Sequence, residues 1–116
     1  MTRIMMVLAH GPGLPDGDLL DRMTLMASLT AQGYLDGAHS DGEQPEGTAV
    51  RERPGKPDKH SKLVSEEGSW VLRGLEGDDD PLWAIDARIL RPGEPVVLRR
   101  PDGEELIYRI VASEQA

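Results

Sequence analysis

His10 is the side chain in this sequence best placed to move a proton. It ends the apolar run Ile4 to Ala9 and stands directly before Gly11-Pro12-Gly13, with Asp16 and Asp18 close behind. An imidazole titrates near neutral pH, and a neighbouring carboxylate can orient it, so His10 with Asp16 or Asp18 is a candidate general acid–base pair. The segment reads as strand, loop and helix start, a junction that exposes backbone N–H groups and suits an anion. Asp16 and Asp18 place negative charge there, however, and no phosphate-loop or dinucleotide fingerprint is present. Two readings stand side by side: a catalytic His10, or a histidine that simply closes a strand.

The remaining chemistry is sparse. His39 and His60 lie among Asp36, Asp41, Glu43 and Asp58, but no spacing resembles a metal-ligand pair. Asp78-Asp79-Asp80 lacks the glycine and glutamate of a calcium loop and reads as a solvated acidic turn. No metal and no cofactor are expected. Ser28, Ser61 and Ser69 sit in no nucleophile elbow, and without cysteine there is no thiolate and no disulfide. The four aromatic residues are Tyr34, Trp70, Trp83 and Tyr108. Trp70, Trp83 and Tyr108 are candidate ligand-binding residues, because an aromatic ring with a polar edge suits the mouth of a small barrel. In a chain without Phe they are equally the largest core fillers to hand.

Three regions must position these residues. Residues 1–35 begin with an apolar strand, Arg3 to Ala9. Asp16 or Asp18 then caps a predicted helix bearing Leu19, Met23, Met26 and Thr30 on one stripe, widened by Leu20 and Ala27. Leu25 and Leu29 fall on another side, and that surplus apolar face suggests a homodimer. Residues 36–62 form a long polar connection with one edge strand, Thr48 to Arg53. Residues 63–116 hold antiparallel strands: one from Leu63, one over Trp70 to Leu75, and a closing meander from Trp83 to Val111.

The meander is the best-specified part. Trp83, Ile85, Ala87 and Ile89 alternate with polar neighbours, the period of a strand with one buried face. Arg91-Pro92-Gly93-Glu94 has the residues of a type II turn, and Arg100-Pro101-Asp102-Gly103 those of a type I turn closed by a left-handed glycine. These turns set Ile89 beside Val96, Ala87 beside Leu98, Leu98 beside Leu106 and Val96 beside Tyr108. Asp86, Arg99 and Glu105 share the opposite face, where crossed charges contribute roughly 0.2–1 kcal/mol per pair. The expected fold is α+β and β-dominated, a small bent sheet or partial barrel of five to six mostly antiparallel strands with one N-terminal helix.

Composition narrows the function classes. The chain has 116 residues, 38% hydrophobic and 29% charged, with net charge −8. That is one globular domain, 1–116, whose charge disfavours unspecific contact with nucleic acid or an anionic membrane. The opening apolar run is too short to span a bilayer and unlike a signal peptide, so a soluble cytoplasmic protein is expected.

From Pro81-Leu82 through Leu90-Arg91-Pro92-Gly93-Glu94-Pro95-Val96-Val97-Leu98 to Pro101-Asp102-Gly103-Glu104-Glu105-Leu106-Ile107-Tyr108-Arg109-Ile110-Val111, the sequence resembles the closing hairpin of Gre-type transcription elongation factors. The resemblance covers about a quarter of the chain. It implies an FKBP-like domain that docks on RNA polymerase. That family's long N-terminal coiled coil, on which transcript cleavage depends, has no counterpart in residues 1–35. Three functions are therefore expected in order: an accessory protein holding an apolar small molecule or a protein partner; a cofactor-independent isomerase, cyclase or lyase using His10 with Asp16 or Asp18; and an RNA-polymerase-associated factor.

Overall fold

Thr2–His10 form the first strand, β1, along which Thr2, Ile4, Met6 and Leu8 are buried while their neighbours are less so. The computed structural model describes residues 1–36, 47–66, 69–74, 83–86 and 89–115. Seven further strands follow: β2 (Asp18–Ala27), β3 (Gly47–Glu52), β4 (Lys59–Glu66), β5 (Ser69–Gly74), β6 (Trp83–Asp86), β7 (Pro95–Arg99) and β8 (Glu105–Gln115). Each pairs antiparallel with its neighbour in sequence, and β8 pairs back onto β1. The result is a closed up-and-down barrel of eight strands. Closure leaves no open sheet edge, and eight strands give an interior that side chains can just fill.

This corrects the expected α+β fold. The segment predicted as a helix is β2, and no residue among those described is helical. The stripe Leu19, Met23, Met26, Thr30 fits a helix, but the alternation Asp21, Met23, Leu25, Ala27 is what the fold uses. Those four are buried, whereas Arg22 is exposed and Thr24 and Met26 are half-buried. Pairing on both sides decides the matter: Ile4 stands opposite Leu25, and Leu25 opposite Ala49. Tertiary context of this kind overrides local propensity. The surplus apolar face also has a place, since Leu25 lies inside the barrel and Leu29 packs against the core. Leu19 and Leu20 remain exposed.

The expected count of five to six strands also gives way, because β2 replaces the helix and β3, expected at an edge, pairs on both sides, with β2 and with β4. Gly47 and Ala49 of β3 are buried, and Leu63 of β4 is fully buried opposite Gly47. The sheet is therefore a complete barrel and not a partial one.

The closing meander keeps its expected face. Val96 pairs with Tyr108 and Leu98 with Leu106. The turn at Arg91–Glu94 has Glu94 N–H donating to Arg91 O, with φ +93° at Gly93. Gly103 N–H donates to Arg100 O at the second turn, again with φ +93° at the glycine. Between β6 and β7 the register differs by two residues from the expected one, since Ile85 stands opposite Leu98; Ala87, expected there, lies outside the described residues. A slip of two leaves every side chain on its original face. Arg99 meets Glu105 on the outer wall at 3.1 Å. That wall also carries exposed Arg22, Lys62, Arg73 and Arg109. No described helix is long and apolar enough to cross a membrane.

Up-and-down topology sorts the connections to two ends. Toward the base, Leu29 and Leu35 form a bridge and pack against the core, and Leu90 N–H donates to Gly33 O. Leu90 itself is buried. The base is thus plugged with apolar side chains. The β1–β2, β3–β4 and β7–β8 turns gather at the other end. The expected Asp78–Asp80 turn and His39 lie outside the described residues.

Candidate functional site

The mouth of the barrel opens onto a cavity of about 400 Å³. Leu8, Leu106 and Gly11 form its apolar floor, with Leu14 and Pro12 at one side. Gly11 is buried, and a Cβ there would come within 2.9 Å of the Leu106 side chain. Its lack of a side chain lets the β1–β2 turn close down over Leu8 and Leu106. Reciprocal backbone bonds between Gly11 and Leu14 hold that turn.

The rest of the lining is charged: Arg51, Arg53, Lys56 and Arg100 face Asp18, Asp21 and Glu104. Asp21 anchors the set from the barrel interior, where it is 4% exposed. Arg51 Nη2 donates to Asp21 Oδ2 at 2.7 Å and Arg51 Nε to Oδ1 at 3.1 Å, a two-pronged guanidinium–carboxylate pair. The Tyr108 hydroxyl donates to the same Oδ1 at 2.8 Å. A carboxylate on the buried face of β2 is therefore satisfied from β3 and β8 at once. Burial raises the Tyr108 hydroxyl well above the usual phenol range; Arg51 opposes this, Asp21 adds to it, and Arg53 opposes it weakly. Tyr108 is thus a neutral donor and not a base.

Two other guanidinium groups at the mouth are less satisfied. Among the described residues, the buried Nε atoms of Arg53 and Arg100 have no hydrogen-bond acceptor. Arg100 stacks over the Trp83 ring at 4.4 Å and approaches Glu104 at 3.6 Å, which fixes its plane while leaving Nε unused. A buried donor without an acceptor costs about 1–3 kcal/mol, so its presence beside a cavity is informative.

The sequence-derived candidates fall in different places. His10 is exposed at the end of β1, its Nδ1 3.2 Å from Pro15 O. Asp16 is exposed in the β1–β2 turn. Asp18 does line the cavity, while its Oδ1 accepts from Leu20 N–H at 2.9 Å. Among the described residues no hydrogen bond or ion pair joins His10 to either aspartate. Trp83 and Tyr108 point inward and are buried, and Trp70 is half-buried against the core. Tyr108 reaches the cavity through Asp21, and Trp83 through Arg100. No described group of three His, Asp or Glu residues could share a metal ion.

Asp21, Arg51, Arg53 and Arg100 escaped the sequence reading. One signal was available: Asp21 shares the strand alternation of Met23, Leu25 and Ala27, which puts a carboxylate on a buried face that needs a cation.

No family model matches the chain, and neither a curated protein nor a solved structure matches it.

Proposed function

We propose that this protein is a small-molecule-binding barrel whose ligand sits in the mouth cavity. The observation that carries this reading is the asymmetry of the two ends. One end is plugged by Leu29, Leu35 and Leu90, while the other opens onto about 400 Å³ with an apolar floor and convergent polar groups. Concave sites of roughly 300–1,000 Å³ with this mixture are the usual form of small-molecule pockets. The packed interior keeps the ligand at the rim, above the Asp21–Arg51–Tyr108 cluster. That cluster is fully paired and holds no free base, so binding suits the geometry better than proton transfer by Asp21.

The test is a thermal-unfolding screen of the purified protein against matched small acids, amines and alcohols of about 10–20 non-hydrogen atoms. It is repeated on Leu14→Trp, which places an indole over the cavity without touching the Gly11–Leu14 backbone bonds. Binding at the mouth requires stabilisation by at least one compound in the wild type and its loss in Leu14→Trp. A flat response to every compound, or shifts that persist unchanged in Leu14→Trp, would overturn the reading.

A further inference from the structure

The charges around the mouth specify more than a cavity. The protein as a whole carries a net charge of −8, yet the cavity lining sets four cations, Arg51, Arg53, Lys56 and Arg100, against three carboxylates. Within that lining the carboxylates are already engaged. Asp21 is held by Arg51 and Tyr108, Glu104 lies beside Arg100, and Asp18 Oδ1 accepts a backbone N–H. What remains is an excess of one positive charge in a mostly negative molecule, focused in a concave and partly apolar site.

The buried donors give that excess a direction. The Nε–H of Arg53, on the β3–β4 turn, and of Arg100, on the β7–β8 turn, both lack an acceptor among the described residues. Both residues line the same cavity, and with Nε buried a ligand there would meet the Nη ends of their guanidinium groups. A guanidinium presents Nε and Nη donors in a rigid fork that matches the two oxygens of a carboxylate. The same cavity is lined by the apolar side chains of Leu8, Leu14, Leu106 and Pro12.

Resting on the binding reading above, we infer that the ligand is an organic monocarboxylate. Its carboxylate is taken between Arg53 and Arg100, with Lys56 at the rim, and its apolar body lies on Leu8, Leu14 and Leu106. The surplus of one charge matches a monoanion. A phosphate monoester, close to doubly charged at neutral pH, would crowd its second charge against Asp18, Asp21 and Glu104.

The experiment is calorimetric titration of the full chain with four probes: hexanoate, hexylamine, hexanol and hexyl phosphate, all at low salt and again at 0.5 M NaCl. Hexanoate should bind most tightly and weaken with salt. Arg53→Gln and Arg100→Gln should each reduce its affinity about tenfold or more, since a hydrogen bond to a charged group is at stake. Their melting curves are recorded alongside; because the wild-type ranking of the four probes stands without any variant, a misfolded variant does not rescue the inference. Hexanol or hexylamine binding as tightly as hexanoate would overturn the acid specificity while leaving a binding mouth intact. Tighter binding of hexyl phosphate would overturn the monocarboxylate assignment in favour of a phosphoryl ligand. Failure of all four probes would overturn this inference, and a flat unfolding screen besides would remove the binding reading as well.

Discussion

Replacing Asp21 by Asn tests the cluster beneath the mouth. The carboxylate is 4% exposed and accepts three bonds, two from Arg51 at 2.7 and 3.1 Å and one from Tyr108 at 2.8 Å. Asn keeps one acceptor oxygen, which Tyr108 can use, but it turns an NH₂ group toward the guanidinium and removes the negative charge. Breaking one side of a buried ion pair costs about 3–5 kcal/mol. The Arg51 side chain retains 16% exposure, so the lower end, about 3 kcal/mol, applies. For a chain of this length that corresponds to a fall in Tm of roughly 10–15 °C. Urea unfolding followed by tryptophan fluorescence and circular dichroism at pH 7 measures it. The triple replacement Asp21→Leu with Arg51→Met and Tyr108→Phe, which removes both charges and the hydroxyl bonded to Asp21, should recover most of the loss, because apolar substitutes for a buried pair are often neutral. A cost below about 1 kcal/mol for Asp21→Asn, or a triple variant no more stable than the single one, would refute the buried-pair reasoning.

Other consequences follow from named contacts. Tyr108 has a hydroxyl pKa raised above its unfolded value of 10.0, so its contribution is complete below about pH 10 and lost as pH rises beyond it. Wild-type stability should fall by about 1 kcal/mol more than that of Tyr108→Phe between pH 10 and 11; parallel curves in unfolding titrations would contradict this. Gly17 has φ +75°, and a Cβ there would lie 2.1 Å from Leu8 O, whereas Gly55 has φ +72° with nothing within 4 Å. Gly17→Ala should therefore cost well over 2 kcal/mol and Gly55→Ala only about 1 kcal/mol, as read by chemical denaturation. Arg3 and Glu114 pair at 2.6 Å on the surface with both side chains about half exposed. Glu114→Gln should change stability by less than about 1 kcal/mol and less still in high salt.

How much of this was legible in the sequence varied with the kind of signal. Pro92-Gly93 and Pro101-Asp102-Gly103 encode backbone angles locally, so both turns of the meander could be read directly. The face of β6 to β8 was also legible, because a two-residue register slip preserves it. β2 was misread for a physical reason. Leucine and methionine lie on both of its faces, so a helical stripe can be drawn through it, and the strand reading demands a buried Asp21. Only the partners make that acceptable, and they stand 30 and 87 residues away at Arg51 and Tyr108. The candidate site was hidden likewise. Arg53 and Arg100 sit in turns whose sequences suggest only solvent, and closure of β8 onto β1 is what brings those turns around one opening. Asp18 alone was both singled out in advance and found in the cavity lining.

Backbone amide chemical-shift mapping during titration with hexanoate tests the central claim most directly. Binding at the mouth should move the amide signals of Gly11, Arg53, Lys56, Arg100 and Glu104 while Leu29, Leu35 and Leu90 at the base stay fixed. Shifts concentrated at the base or along the outer wall, or no shifts at saturating hexanoate, would contradict it.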